Sequence, residues 1–256
     1  MVVASAACSG GGSDSAATIA RIVADAQTML NDYWGALVTS DDAGALAHAI
    51  GPVRAQAEFR AILHRADPAT AFPAGTSVSV HVTGVQTVLD DNRYRLNGEA
   101  TLSLTGVAKP VVYKDFVVED QDGDLKLVDY ADPTGDTIAS HCVLGEGLPP
   151  ARAGALTAEL VAGIWSGGAQ TSVSFAVVLG GQGLATLGEQ GSDATFVSTA
   201  TTLSGPAPVF GARADGTEAY LTVAFAGAQF PDVAGGGTLR VRIAGTALDL
   251  AVPAFG

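Results

Sequence analysis

The chain is 256 residues long, 48% apolar and 15% charged, with a formal net charge of −13. That length suits two domains of ordinary size, and that apolar content excludes wholesale disorder. The acidity, with lysine confined to Lys109, Lys114 and Lys126, excludes nucleic-acid binding, which needs clustered cations to displace phosphate counterions, and disfavours direct docking on anionic headgroups.

No run of about 18 apolar residues is present, so no segment reads as a membrane-spanning helix. At the N-terminus, Ala6 and Ala7 stand directly before Cys8, and the run Ser9-Gly10-Gly11-Gly12-Ser13-Asp14-Ser15 follows. Small residues before such a cysteine resemble the lipobox of bacterial lipoproteins. The resemblance implies cleavage before Cys8 and diacylation of its thiol, which places the protein on the extracytoplasmic face of the cell membrane. Two acyl chains hold a protein there stably, whereas one is marginal. The Gly/Ser run behaves as a flexible coil, so residues 1–15 are expected to form a tether. A working signal carries a basic n-region and an apolar stretch of about 7–15 residues, so either translation starts upstream of Met1 or this segment is a disordered tail with a chance cysteine.

Beyond Ser15, a suitable N-cap, the series Ile19, Ile22, Val23, Ala26, Leu30, Tyr33, Trp34 and Leu37 puts one apolar stripe on a helix. Thr39-Ser40-Asp41-Asp42 ends it and caps a short helix from Ala43 to Ile50. Pro52 suits the first turn of a third helix reaching about His64. The period then changes to two. Val78, Val80 and Val82 alternate with polar residues, as do Tyr94, Leu96, Ala100, Leu102 and Leu104. Two further strands, Val111 to Glu119 and Leu125 to Tyr130, are joined by Asp120-Gln121-Asp122-Gly123-Asp124, with Gly123 placed for a hairpin turn.

Three helices followed by antiparallel strands predict an α+β domain over residues 16–148. That order, together with a final hairpin formed by Val111-Val112-Tyr113-Lys114-Asp115-Phe116-Val117-Val118-Glu119 and Asp122-Gly123-Asp124-Leu125-Lys126-Leu127-Val128-Asp129-Tyr130, resembles the NTF2-like superfamily. The resemblance implies a cone, three helices on a curved antiparallel sheet with a pocket between them. Some members are isomerases or dehydratases working with an Asp or a His and a Tyr in the cone, while others only bind or assemble. In such a cone Tyr33, Trp34, Tyr94, Tyr113 and Asp115 are the candidate ligand-binding residues. Asp115 with Tyr113, two apart on one strand and so on one face, is the candidate acid–base pair.

Leu148-Pro149-Pro150 forms a stiff boundary. Residues 149–256 then read as short strands separated by turns, among them Val173 to Leu179, Leu221 to Phe225, Leu239 to Ile243 and Leu248 to Val252. This half loosely resembles the immunoglobulin-like domains of bacterial surface proteins, which implies an all-β sandwich without the paired cysteines of antibody domains.

The remaining constellations read as structural. Asp120, Asp122 and Asp124 lack the Gly and Glu positions of a calcium loop and sit in a hairpin. His48, His64, His81 and His141 lack zinc spacing, and no metal or cofactor is expected. His81 with Arg93, Arg95 and Glu99 reads as a wetted sheet face. His141 beside Cys142 points away from it on an extended segment, so Cys142 reads as a small buried thiol. The expected function is a surface-anchored, non-enzymatic module that binds a small apolar ligand or a partner protein. Catalysis in the cone and a structural or adhesive role are the alternatives.

Overall fold

The computed structural model describes residues 11–167, 171–187, 192–205 and 208–255; Cys8 lies outside them. The protein is α+β, with a small helical part and several antiparallel sheets.

Helix α1 runs from Gly11 to Thr39, one turn earlier than the expected start after Ser15, so the end of the expected coil is helical. Once an amphipathic helix is anchored, each further residue adds a backbone hydrogen bond at small entropic cost. Its buried stripe is Ile22, Ala26, Met29, Leu30, Tyr33, Trp34 and Leu37. Helix α2 (Asp42–Ala47) is capped by Asp41, whose Oδ1 accepts from the Gly44 amide at 3.0 Å. Helix α3 (Gly51–Ala66) starts with Pro52 in its first turn.

Strands β1 (Ser77–Val88), β2 (Arg93–Ser103), β3 (Val111–Gln121) and β4 (Asp124–Ala131) form an antiparallel meander in that order. The β3–β4 turn pairs Gln121 with Asp124 across Asp122 and Gly123, both at positive φ (56° and 94°), as a type I′ hairpin requires. Both sheet edges are covered. Gln27 of α1 donates to the Val80 carbonyl (3.0 Å) and accepts from the Val82 amide (2.8 Å), standing in for a strand partner of β1. On the other edge the Ile50 amide donates to the Leu127 carbonyl and the Leu127 amide to the His48 carbonyl.

The second half contains two antiparallel sheets. The larger runs β11 (Val209–Ala212), β12 (Glu218–Ala226), β8 (Ser172–Gly180), β7 (Leu156–Ser166) and β5 (Cys142–Leu144), with β6 (Ala151–Ala153) also on β7. The smaller runs β10 (Thr202–Ser204), β9 (Ser192–Val197), β13 (Gly237–Ile243) and β14 (Thr246–Val252). The side chains of both meet in one core around Phe175, Phe196 and Phe225, whose ring centroids lie 5.1–6.4 Å apart.

Helix α3 ties the halves together. Val53, Ala55 and Ala57 join the core of the helix–meander half. Ile62 and Ala66 pack on Ala176 and Tyr220 of the larger sheet. That sheet is therefore covered on both faces, and Ala219 to Val223 are all buried. Small residues allow the approach: a Cβ on Gly211 would stand 2.5 Å from the Arg65 carbonyl oxygen. β5, which precedes Leu148-Pro149-Pro150, also belongs to this sheet, pairing Cys142 with Ile164.

Candidate functional site

The aromatic candidates fall into one cluster at the end of α1. Tyr33 and Trp34 are adjacent in sequence and both buried in the core that α1 shares with α2, α3 and the meander. The Trp34 ring lies 4.5 Å from Tyr113, 5.4 Å from Tyr130 and 5.5 Å from Tyr33, centroid to centroid, and Tyr113 meets Tyr130 edge-on at 5.5 Å. Tyr94 is buried in the same core, opposite Val88 and Val118, and adds no ring contact to the cluster among the described residues.

Asp115 does not join them. Between the Lys114–Ala131 and Val117–Asp129 pairs the register of β3 shifts by one residue, and Asp115 takes a left-handed conformation at φ 52°. This bulge breaks the alternation of faces. Tyr113 and Phe116 both turn into the core, while Asp115 is exposed. The expectation that Tyr113 and Asp115 share a face is thus corrected, and their acid–base pairing with it. Asp115 instead lines a surface depression of about 640 Å³ with Lys109, Lys114, Asp132 and Thr134.

Three residues that the sequence reading did not single out complete the cluster: Tyr130, Gln56 and Arg60. Gln56 and Arg60 stand one helical turn apart on α3. The Tyr130 hydroxyl donates to Gln56 Oε1. Arg60 lies with its guanidinium carbon 4.2 Å from the centroid of the Phe72 ring. The polar positions at i and i+4 among the alanines of α3 were the available signal.

The electrostatics of the cluster are unusual. Tyr33 Oη, Trp34 Nε1 and Arg60 Nε are all buried without a hydrogen-bond partner among the described residues. The Tyr130 hydroxyl donates to Gln56, and its oxygen lies within reach of the Tyr33 hydroxyl and can still accept from it. Burial pushes the pKa of Tyr33, Tyr113 and Tyr130 up, so these phenols stay protonated at neutral pH. Burial also lowers that of Arg60, a cation with no ion pair among the described residues. Asp42, whose charge reaches Arg60, instead meets His64 Nδ1 at 2.9 Å. The cluster therefore combines rings packed against one another with enclosed donors that lack a partner.

The other constellations have local partners. Asp120 meets Arg21 at 2.7 Å and accepts from the Gly123 amide, and Asp124 meets Lys126 at 2.7 Å. His81 is exposed opposite Glu99, and Arg93 meets Glu119 at 2.7 Å. Cys142 is a free, buried thiol whose pKa burial pushes up to about 12, while His141 packs on Trp165 at 4.6 Å. No family model, curated protein or solved structure matches this chain.

Proposed function

We propose that this protein is a non-enzymatic binding protein of the cell envelope, anchored to the extracytoplasmic face of the membrane through acylated Cys8. Its helix–meander half is an NTF2-like cone that takes a small apolar ligand at its aromatic end. Its second half is an immunoglobulin-like sandwich that serves as spacer or adhesive module.

The observation that carries the ligand reading is the pair of enclosed, unpartnered donors Trp34 Nε1 and Arg60 Nε in one aromatic cluster. Buried donors are almost always paired, because leaving one unmatched costs about 1–3 kcal/mol. A ligand that lays its apolar body against the Trp34 and Tyr113 rings and offers acceptor atoms supplies what these groups lack. The non-enzymatic part rests on the protonation of the phenols and on the outward position of Asp115, which leave no evident general base in the cluster.

The test is mass analysis of the intact protein purified under gentle conditions from a bacterial host, before and after denaturation. A small molecule released on unfolding, and lost from a Trp34→Ala, Tyr113→Ala double variant that still folds, is the expected result. No released molecule from the wild type refutes the ligand reading. For the anchor, Cys8→Ala should move the protein out of the membrane fraction, and its retention there refutes acylation at Cys8.

A further inference from the structure

We infer that the outer face of the meander carries a second binding site, for a zwitterion with an apolar side chain, held between Arg95 and Asp129. A free α-amino acid is the simplest such ligand. The site is independent of the aromatic cluster. Tyr94, Leu96 and Tyr130 are buried on the inner side of the sheet, and Arg95 and Asp129, their neighbours along β2 and β4, line a cavity on the other side. That cavity measures about 460 Å³, and Arg93 and Glu119 share its wall.

Two of these four charges are already matched. Arg93 Nε meets Glu119 Oε2 at 2.7 Å, and Glu119 Oε1 accepts from Gln121 Nε2 at 3.0 Å. The other two are not. Asp129 commits Oδ1 to the Tyr130 and Ala139 amides, at 2.9 and 3.0 Å, which fixes the carboxyl and leaves Oδ2 without a side-chain partner among the described residues. Arg95 is half-buried and within electrostatic reach of Asp129, yet it forms no ion pair with that or any other described residue. A cation and an anion, each incomplete, therefore face one cavity.

Charge decides the class of ligand. A lone anion at Arg95 would bring like charge towards Asp129, and a lone cation at Asp129 would bring like charge towards Arg95. A neutral molecule compensates neither. A carboxylate and an ammonium on one carbon supply both contacts: the guanidinium takes the carboxylate through two parallel hydrogen bonds, and the ammonium donates to Asp129 Oδ2. Burial pushes the carboxyl of Asp129 up, and a cation there offsets the cost of its charge. The rest of the wall sets the side chain. Val117 is buried although it faces outward, Pro52 stands at the start of α3, and Leu89 is 45% exposed. An apolar side chain laid against them takes Leu89 out of water.

Calorimetric titration of the full chain, unfolded and refolded to strip any bound molecule, tests this with two matched sets. L-leucine is compared with isocaproate, which lacks the ammonium, and isoamylamine, which lacks the carboxylate. L-phenylalanine is compared with hydrocinnamate and phenethylamine in the same way. The expected result is saturable binding of at least one amino acid, and at least tenfold weaker binding of each of its two analogues. Arg95→Met and Asp129→Asn, each checked for folding by circular dichroism, should both weaken binding at least tenfold. Arg152→Met, at an exposed position on β6 outside the cavity, should bind as wild type does.

An analogue that binds as tightly as its amino acid overturns the recognition of two charges. No binding of either amino acid overturns the site. Binding retained by both folded variants overturns its placement between Arg95 and Asp129. The ligand reading of the aromatic cluster is tested separately, by the released molecule described above.

Discussion

Replacing Gly211 with alanine tests whether α3 and the larger sheet form one close-packed interface. The new Cβ would stand 2.5 Å from the Arg65 carbonyl oxygen and 2.7 Å from the Ala66 Cα, both rigid backbone atoms of α3. Ordinary contact requires a separation nearer 3.5 Å, so β11 and the end of α3 must part by about 0.5–1 Å. A gap of that size forfeits a quarter to a half of the dispersion energy of each contact it opens, here those of Ile62 and Ala66 with Ala176 and Tyr220. Overpacking of this kind costs about 1–3 kcal/mol, or a fall in Tm of about 2–10 °C for a chain of this length. Calorimetry or circular dichroism of wild type and Gly211→Ala measures it. Gly35→Ala is the control, since its Cβ meets nothing within 4 Å and it lies in the interior of α1. The control should stabilise by about 0.5–1 kcal/mol. If Gly211→Ala unfolds at the wild-type temperature while the control behaves as expected, the close approach of α3 to β11 is wrong.

Two further predictions concern titratable groups. Asp129 is half-buried, and burial raises its pKa against the pull of the Ala139 and Tyr130 amides, both of which donate to its Oδ1. An acid raised on folding costs stability above its folded pKa, and that cost disappears as pH falls through it towards the unfolded value near 4. The stability of wild type relative to Asp129→Asn should therefore rise as pH is lowered from 7 towards 4 in paired urea titrations, and a flat difference contradicts the burial of this carboxyl. Asp120 and Glu119 act in the opposite sense: Arg21 and the Gln121–Arg93 contacts depress them, so their contribution is present above pH 4 and lost below. For Cys142, whose thiol is pushed up to about 12, a Cys8→Ala protein should react with a disulfide reagent at pH 8 only after denaturation, and rapid reaction of the folded protein would expose an error in its burial.

Much of the helix–meander half could be read from periodicity. Ile22, Ala26, Leu30 and Leu37 mark the buried stripe of α1, and the Asp122-Gly123 turn takes the positive φ angles that tight hairpins demand. The strand Leu156–Ser166 was not legible because its sheet is covered on both faces, which removes the alternation of polar and apolar residues that marks a half-wetted strand. The bridging role of α3 was hidden for a related reason. Its alanines and Gly211 signal closeness of packing through small size, and small size carries no period of its own.

The site was half legible. Tyr33, Trp34 and Tyr113 cluster because the stripe of α1 and the inner face of β3 meet. Asp115 parted from them because one bulge inverts every face beyond it, and no residue pattern in Tyr113-Lys114-Asp115-Phe116 announces that shift. Arg60 and Gln56 were overlooked because a polar residue on a helix is ordinarily solvated, and only the tertiary packing leaves Arg60 without an acid to meet.

The most direct measurement of the central claim is a fluorescence titration of a Trp165→Phe protein, in which Trp34 is the sole tryptophan reporter. Trp34 touches Tyr33, Tyr113 and Tyr130 and carries one of the unpartnered donors, so a ligand at this cluster changes its environment directly. The account predicts a saturable change in Trp34 emission on titration with octanoate or phenylacetate, lost in Tyr113→Ala. An emission spectrum unmoved by every probe, in protein first unfolded and refolded to strip any bound molecule, contradicts it.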